Sequence, residues 1–200
     1  LTLDDKYAYT WDAENRLIEI VTRRTGNPEA GDRKLEFKYD YKSRRVEKKY
    51  SVHDGDDWGT QSTQRFVYDE WNVVLVLDGS NAVKRKYTWG LDLSGLSGNG
   101  SVSGIHGAGG IGGLLAAEEP QTTGGPNRHW YFYDGNGNVG QFFDATDPGD
   151  ITAAGRYQYD PYGNTVPGIQ GGDLAAANPF RFSTKWLDTE LAGETITGAV

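Results

Sequence analysis

The chain has 200 residues, of which 36% are hydrophobic, so it is long enough to bury one sizeable core. Its formal net charge is −8, divided into a net +2 over residues 1–50 and a net −10 over residues 51–200. Such an acidic chain lacks the basic footprint that nucleic acid requires, and the absence of Cys excludes disulfides and metal thiolates.

Six short units recur along the chain, each made of two aromatic residues at positions i and i+2 that run into a turn. In chain order they read YTWDAENRL, FKYDYKSRRV, FVYDEWNVV, YTWGLDLSG, YFYDGNGNV and YQYDPYGNT. A spacing of two residues places both rings on one face of a β-strand. Each unit therefore predicts the end of a strand, a tight turn and a return strand.

The expected elements follow these units in chain order. Residues 1–90 form repeats, 91–127 a glycine-rich connection, 128–190 the last repeats with a further segment, and 191–200 a divergent tail. The stretch from Ser94 to Gly113 holds little that can be buried, which predicts that parts of it are mobile and are cut first by proteases. Hairpins are expected over 7–22, 34–52, 129–144 and 155–166, strands at 62–69, 73–78 and 83–89, a helical turn at 173–177, and an extended NPFRFSTKW with inward-facing aromatics.

Five of the six turns open with Asp. A short carboxylate there can accept hydrogen bonds from backbone N–H groups two residues on and so close the turn. Residues that tolerate a left-handed backbone follow, namely Asn15, Asn72, Gly137 and Gly163. We assign an architectural role to the repeated rings and carboxylates: Tyr9, Trp11, Asp12, Tyr39, Asp40, Tyr68, Asp69, Tyr133, Asp134, Tyr159 and Asp160.

The Y-x-Y-D-x-x-G-N/R pattern resembles the YD repeat of the Rhs family, which insecticidal toxin complexes and teneurins share. Two further stretches, YTWGLDLSG followed by GAGGIGGLL and then NPFRFSTKWLDTE, resemble the Rhs repeat-associated core. The resemblance covers roughly residues 7 to 190. It implies an all-β fold of consecutive antiparallel hairpins in one long curved sheet, as part of a hollow shell that encloses a C-terminal toxin or effector.

The end of the chain departs from the family pattern. Family members continue into an aromatic-rich run, whereas Glu190 is followed here by LAGETITGAV. Self-cleavage, known in the family, is therefore not carried over to any residue. The chain contains no Met, which predicts that it is a piece of a longer protein.

A nucleotide site is suggested by Gly107, Gly109 and Gly112, which satisfy G-x-G-x-x-G. The pattern requires a hydrophobic strand before it and a helix after it. Here SGNGSVSG precedes it, and Pro120 leaves no room for a crossover helix. We expect a packed or flexible loop and no bound cofactor.

Metal sites and catalytic groups are not indicated either. Asp134 begins a D-x-N-x-N run, but positions six and twelve of a calcium loop fall on Val139 and Ala145 instead of Gly and Glu. The three His residues are not spaced as a metal pair on one element. We expect no enzyme activity, no catalytic residue and no metal; the three His are His53, His106 and His129.

The expected function is that of a scaffold whose partners are the rest of the parent shell and the effector inside it. The alternative is a cell-surface module that binds carbohydrate or another protein through exposed aromatics, with Trp58 and Trp71 as candidates. No stretch approaches the roughly 20 apolar residues of a membrane helix, so no membrane insertion is expected. The expected location is secreted or at the cell surface.

Overall fold

The computed structural model describes residues 2–96, 107–166 and 173–191. Eleven strands form one sheet, and the order of the strands in the sheet is their order in the sequence. The described strand pairs are antiparallel, as expected for hairpins that follow one another. The predicted all-β fold of consecutive antiparallel hairpins is confirmed.

The first ten strands alternate between those that end in an aromatic pair and those that follow a turn or connection, whereas the sixth aromatic pair, Tyr157 and Tyr159, lies after the last strand. Among the described residues, helical structure consists of the short helices α1 (Leu93–Leu96) and α2 (Asp173–Ala177) and a 3-10 turn at Phe182–Thr184. The strands are β1 Tyr7–Trp11, β2 Leu17–Thr22, β3 Arg33–Tyr39, β4 Arg45–His53, β5 Trp58–Asp69, β6 Asn72–Asp78, β7 Val83–Trp89, β8 Leu114–Glu119, β9 Asn127–Tyr133, β10 Val139–Asp144 and β11 Thr152–Arg156.

The chain divides into two compact units. The first comprises Leu1–Val67 and Val76–Ala82. Its core contains buried Phe37 and Phe66, and the Arg45 guanidinium lies 5.2 Å from the centre of the first ring and 5.4 Å from the second. This cation–π arrangement lets a charged residue lie among apolar side chains.

The second unit comprises Tyr68–Leu75 and Val83–Val200. Three rings, from β9, from β10 and from the residue that follows β11, stack in its core: Phe142 lies 5.9 Å from Tyr131 and 6.0 Å from Tyr157, centre to centre. Gly155 makes room for the stack, because a Cβ atom there would lie 2.3 Å from the Phe142 ring. The first rings of the last units therefore face the core, as the two-residue spacing predicts.

The glycine-rich connection differs from the sequence-based expectation because it contains strand β8. Its residues, LLAAEE, are good helix formers, but β8 pairs with β7 on one side and β9 on the other. Leu114 is 0% exposed and Ala117 2% exposed, so burial between two strands outweighs local preference. The last hairpin is also displaced: β11 covers Thr152–Arg156, and the pair Tyr159–Thr165 forms an isolated bridge.

Among the described residues, no helix combines the length and the apolar character needed to cross a membrane.

Candidate functional site

The repeated turns share one set of hydrogen bonds around the Asp side chain. At Asp134, Oδ1 accepts the backbone N–H groups of Asn136 at 2.9 Å and Asn138 at 3.0 Å, and Oδ2 accepts the Asn138 side-chain amide at 2.7 Å. The Asp134 carbonyl also accepts the Gly137 N–H at 3.0 Å. The same set, from residues i+2, i+3 and i+4, closes the turns of Asp12, Asp40 and Asp160.

These bonds favour the ionised carboxylate. The backbone hydrogen bond from Arg16 lowers the pKa of Asp12, and the side-chain hydrogen bond from Asn164 lowers the pKa of Asp160. At Asp134 burial acts to raise the pKa, but the hydrogen bonds outweigh it and the pKa is lowered. Both oxygens of these carboxylates are engaged in the turns, and their architectural role stays a prediction.

Position i+3 of each turn has a left-handed backbone, with φ of 59° at Asn15, 62° at Ser43, 76° at Gly137 and 89° at Gly163. A fifth turn of this type opens at Asp78, whose Oδ1 accepts the N–H groups of Ser80 and Ala82 at 2.8 and 3.0 Å. No aromatic pair precedes Asp78, so the repeat search missed it. The signal that finds it is Asp followed three residues later by Asn, Ser or Gly.

Asp69 does not open a turn of this kind. Strand β5 continues to Asp69 and β6 starts at Asn72, which leaves only Glu70 and Trp71 between them. The left-handed residue is Glu70, with φ of 49°, whereas Asn72 is buried at the start of β6. The sequence prediction was therefore wrong about the left-handed role of Asn72, because a two-residue hairpin loop replaces the longer one.

The second ring of a unit ties its turn to the preceding return strand. The hydroxyls of Tyr39, Tyr133 and Tyr159 donate to the carbonyls of Leu17, Leu114 and Val139, the first residues of β2, β8 and β10, over 2.7, 2.6 and 2.9 Å. The indole N–H of Trp89 donates to the Val73 carbonyl over 2.7 Å. Each of these bonds pairs the polar atom of a half-buried ring and joins neighbouring hairpins to each other.

The predicted repeat motif has three further aromatic residues, Tyr9, Trp11 and Tyr68. Tyr9 is the first ring of its unit, and its hydroxyl donates to Asp4 Oδ2 over 2.5 Å. Burial, together with this bond, raises the pKa of Tyr9 to about 12. Trp11 is 39% exposed on the first strand of the sheet, and Tyr68 is half-buried near the end of β5.

Asp92 holds the glycine-rich segment to the end of β7. Its side chain is 0% exposed, and Oδ2 accepts the N–H groups of Ala108 at 2.8 Å and Gly110 at 3.2 Å. Oδ1 accepts the Ser94 hydroxyl at 2.6 Å and the N–H groups of Ser94 and Gly95 at 3.0 and 3.2 Å. Burial acts to raise the pKa of Asp92, but these donors outweigh it and the pKa is lowered.

The described ends of the segment Ser94–Gly113 are packed, and the expected mobility of parts of it stays a prediction. Gly113 and Gly110 are buried, and the Gly90 N–H donates to the Gly113 carbonyl over 2.7 Å. Residues 97–106 lie outside the described ranges. Glycine is needed where a side chain does not fit: at Gly110, with φ of 79°, a Cβ atom would lie 2.3 Å from Asn72 Oδ1.

We call residues 178–191 the closing segment. They connect the glycine-rich turn, residues 107–113, to the turn of Asp134. The Thr184 hydroxyl accepts the Gly112 N–H at 2.8 Å and donates to the Gly137 carbonyl at 2.8 Å. The Ser183 N–H donates to Asn138 Oδ1 over 2.8 Å. Ser183 and Thr184 both have left-handed backbones, with φ of 51° and 52°. Such strain in two residues in succession persists only where surrounding contacts hold it.

The aromatic residues of NPFRFSTKW pack inward in part. Phe180 is 4% exposed and makes edge-to-face contacts with Tyr87, Trp89 and Trp186 at 5.0, 5.5 and 5.4 Å. The segment is not extended throughout, since Phe182–Thr184 forms a 3-10 turn. Contacts with residues distant in sequence impose that turn, which local pattern does not predict.

The search for a metal centre covers the described residues only. Within 2–96, 107–166 and 173–191, no group of three or more His, Asp or Glu residues is placed to hold a metal ion. His53 Nδ1 accepts the Gly55 N–H at 3.1 Å, His129 packs against Phe142, and His106 lies outside the described residues. The absence of a catalytic residue and of a cofactor stays a prediction.

The turn bonds predict a stability difference between two Asp positions. Asp134→Ala removes the acceptor of three hydrogen bonds and is expected to lower the free energy of unfolding by about 1 kcal/mol, as loss of a helix or turn cap does. The matched control is Asp69→Ala, because Asp69 is exposed and opens no such turn. Urea denaturation of both variants tests this, and equal midpoints would contradict it.

Similar proteins were found by sequence, although no family model matches the chain. The curated relatives include the tRNA3(Ser)-specific nuclease WapA of Bacillus spizizenii, 26% identical over 189 residues, and the tRNA nuclease WapA of Bacillus subtilis strain 168, 25% identical over 189 residues. The match covers 94% of this chain but only 6% of each relative, so the chain spans a small part of these proteins.

Solved structures share the fold. A Photorhabdus luminescens Tc holotoxin pore has a TM-score of 0.58 at 15% identity, and a TcdB2–TccC3 structure has a TM-score of 0.58 at 16% identity. Each match covers 94% of this chain and 8% of the chain in the structure. At these identities the likeness concerns the fold alone. The chain therefore has the hairpin-sheet fold of a segment of Tc toxin proteins, and its sequence is similar to a segment of the WapA nucleases.

Proposed function

We propose that the chain is a structural segment of an Rhs-type toxin shell and that the complete shell encloses a C-terminal effector. The observation that carries the proposal is the repeated link between hairpins, in which a ring at the end of one strand donates to the carbonyl that starts the preceding return strand. Because each unit binds the unit before it, further units can be added to the same sheet, as in repeat proteins. Such an extended sheet can form the wall of a shell.

The similarities support the same role. The relatives are named as nucleases, and the structures as toxin assemblies, but the matched region is 6% and 8% of those chains. The matched region is a small part of those chains, and it consists of hairpins whose carboxylates are already engaged in turns. These features fit a segment of the shell wall better than the catalytic or toxic domain of such a protein. The proposed location, secreted or at the cell surface, follows from the toxin role.

Protection of the effector tests the proposal. In the complete parent protein, the C-terminal effector is expected to resist a protease that cuts the same effector expressed alone, since a closed wall excludes the enzyme. A Thr184→Val change in the parent removes the contacts of the closing segment with Gly112 and Gly137 and is expected to make the effector more sensitive. Asp69→Ala serves as the control that leaves protection unchanged.

Two outcomes would contradict the proposal. The first is an effector that the protease cuts as fast within the wild-type parent as when it is expressed alone. The second is an effector that is protected in the wild-type parent and remains equally protected in the Thr184→Val parent, although the change unfolds the closing segment locally. Protection would then not depend on this region.

A further inference from the structure

His129 is a titratable side chain that lies inside the second unit, near the beginning of β9. It is 5% exposed, and its ring lies 6.1 Å from the Phe142 ring in an edge-to-face contact. With the described residues its imidazole makes no hydrogen bond and no ion pair. Two tyrosines on the same face, Tyr87 and Tyr131, stay uncharged near neutral pH because burial raises the pKa of both, that of Tyr87 to about 12. This packing suits an uncharged imidazole, since a buried charge without a paired partner is unfavourable.

The charged groups around His129 come from three neighbouring strands. In register, His129 stands between Ala117 on β8 and Asp144 on β10. Glu119 lies two residues beyond Ala117 and therefore on the same face of β8, where it forms an ion pair with Arg85 on β7. Two carboxylates and one guanidinium thus face the side of the sheet that holds the imidazole.

Burial decides which form of the imidazole the folded chain favours. Burial lowers the pKa of His129 and Arg85 acts in the same direction, whereas Glu119 and Asp144 act to raise it. Both carboxylates have other partners: Glu119 pairs with Arg85, and Asp144 Oδ1 accepts the Thr146 N–H at 2.9 Å. The two carboxylates do not offset burial, so the folded chain favours the neutral ring.

We propose that His129 makes the second unit acid-sensitive: in a mildly acidic medium its ring takes up a proton, and β9 loosens from Phe142 so that water reaches the imidazolium. The position of the residue favours such a local opening. His129 is the third residue of β9, and residues 120–125 of the loop that leads into β9 are exposed. Segments with few buried contacts open at a lower free energy than the core does. The protonated ring can therefore gain water when the β8–β9 hairpin frays, while the rest of the sheet stays folded.

The direction of the effect follows from the protons that each state binds. In the unfolded chain an imidazole has a pKa of about 6.5, whereas the pKa of His129 in the folded chain is lower. The stabilisation that the neutral ring gives is therefore present above about pH 6.5 and is lost as pH falls from there to the folded pKa. Between pH 7.5 and pH 5.5 the folding equilibrium constant is expected to fall by up to about tenfold through His129 alone. This sensitivity belongs to the second unit and does not depend on the proposed wall.

Urea denaturation of the full 200-residue chain at pH 7.5 and pH 5.5 tests the proposal, with wild type, His129→Gln and His129→Phe measured side by side. Gln keeps a polar side chain and Phe keeps a ring, and neither takes up a proton in this interval. We expect the folding equilibrium constant of wild type to fall by up to about tenfold more than that of either variant. The carboxylates and the other two His residues are present in all three chains, so their contributions cancel in the difference.

An NMR titration of the wild-type imidazole, assigned through its contact with Phe142, needs no variant and should give a midpoint below about pH 6.5. At pH 5.5 the amides of β9 should also exchange faster in wild type than in His129→Gln, once the intrinsic pH dependence of exchange is removed. The proposal is overturned if wild type and both variants respond to acid alike, or if the imidazole titrates at or above about pH 6.5. It is also overturned if acid stabilises wild type relative to the variants, because the imidazolium would then pair with Asp144. None of these results bears on protection of the effector, which tests the wall separately.

Discussion

Replacing Asp92 with Ala is expected to lower the free energy of unfolding by about 3–5 kcal/mol, a large share of the stability of a domain this size. The carboxylate is fully buried and accepts four backbone N–H groups and one hydroxyl. Ala leaves these donors without an acceptor where water does not replace it, and each unsatisfied buried donor costs about 1–3 kcal/mol. Relaxation of the glycine-rich turn limits the total.

Asp92→Asn is the matched control because Asn keeps one oxygen acceptor and the same shape. It should cost less than Ala at pH 7 and should change the response to acid. The folded pKa of Asp92 is lowered, so the stabilisation that the carboxylate gives is present above its unfolded pKa of about 3.9 and is lost as pH falls through the folded value. The Asn variant should therefore lose less stability than wild type between pH 5 and pH 2.

Urea denaturation at pH 7, repeated at lower pH, measures both effects. Hydrogen exchange at Ala108 and Gly110 adds a local measure, because these amides donate to Asp92 and should exchange faster in the Ala variant. A midpoint for Asp92→Ala within experimental error of wild type would show that the glycine-rich turn does not depend on the carboxylate.

Much of the sheet could be predicted from sequence because its information is local. An aromatic pair followed by Asp specifies a strand end and a turn within nine residues, and hydrogen bonds such as Asn138 N–H to Asp134 Oδ1 join residues four apart. Hairpins then pair with their neighbours in chain order, so turn position determines strand order. For the same reason the repeated Asp residues at positions 12, 40, 134 and 160 each accept a backbone N–H group from two residues on, as the pattern indicates.

The remaining contacts could not be predicted because they join residues far apart in the chain. Thr184 lies 72 positions from Gly112, and no local pattern pairs a hydroxyl with a glycine N–H at that separation. Asp92 precedes a Ser and a Gly, as an ordinary turn residue would, and only the folded chain shows that Ala108 and Gly110 also donate to it. Strand β8 was missed for a related reason. Its own residues favour helix, and it is a strand because it pairs with β7 on one side and β9 on the other.

Arg181 illustrates how the closing segment depends on a single buried side chain. It is 8% exposed, and its Nη2 donates to the carbonyls of Ala175 and Ala176, both at 3.1 Å, at the end of α2. Its Nε donates to the Asn178 carbonyl over 3.3 Å, and the guanidinium lies 5.0 Å from the centre of the Tyr157 ring. One planar cation thus satisfies the carbonyls that a helix leaves unpaired at its C-terminus and stacks on the core.

Arg181→Ala is therefore expected to lower the free energy of unfolding by about 3 kcal/mol, since it removes three hydrogen bonds to the carbonyls of Ala175, Ala176 and Asn178 and opens a cavity beside Tyr157. Arg181→Lys should be intermediate, because an ammonium has no planar fork to reach all three carbonyls and stack at once. Arg156→Ala, at an exposed position, is the control and should leave stability unchanged. Chemical denaturation of the three variants decides the matter. If Lys proves as stable as Arg, or if Ala costs no more than the Arg156 control, the geometry of the guanidinium does not hold α2 against the sheet.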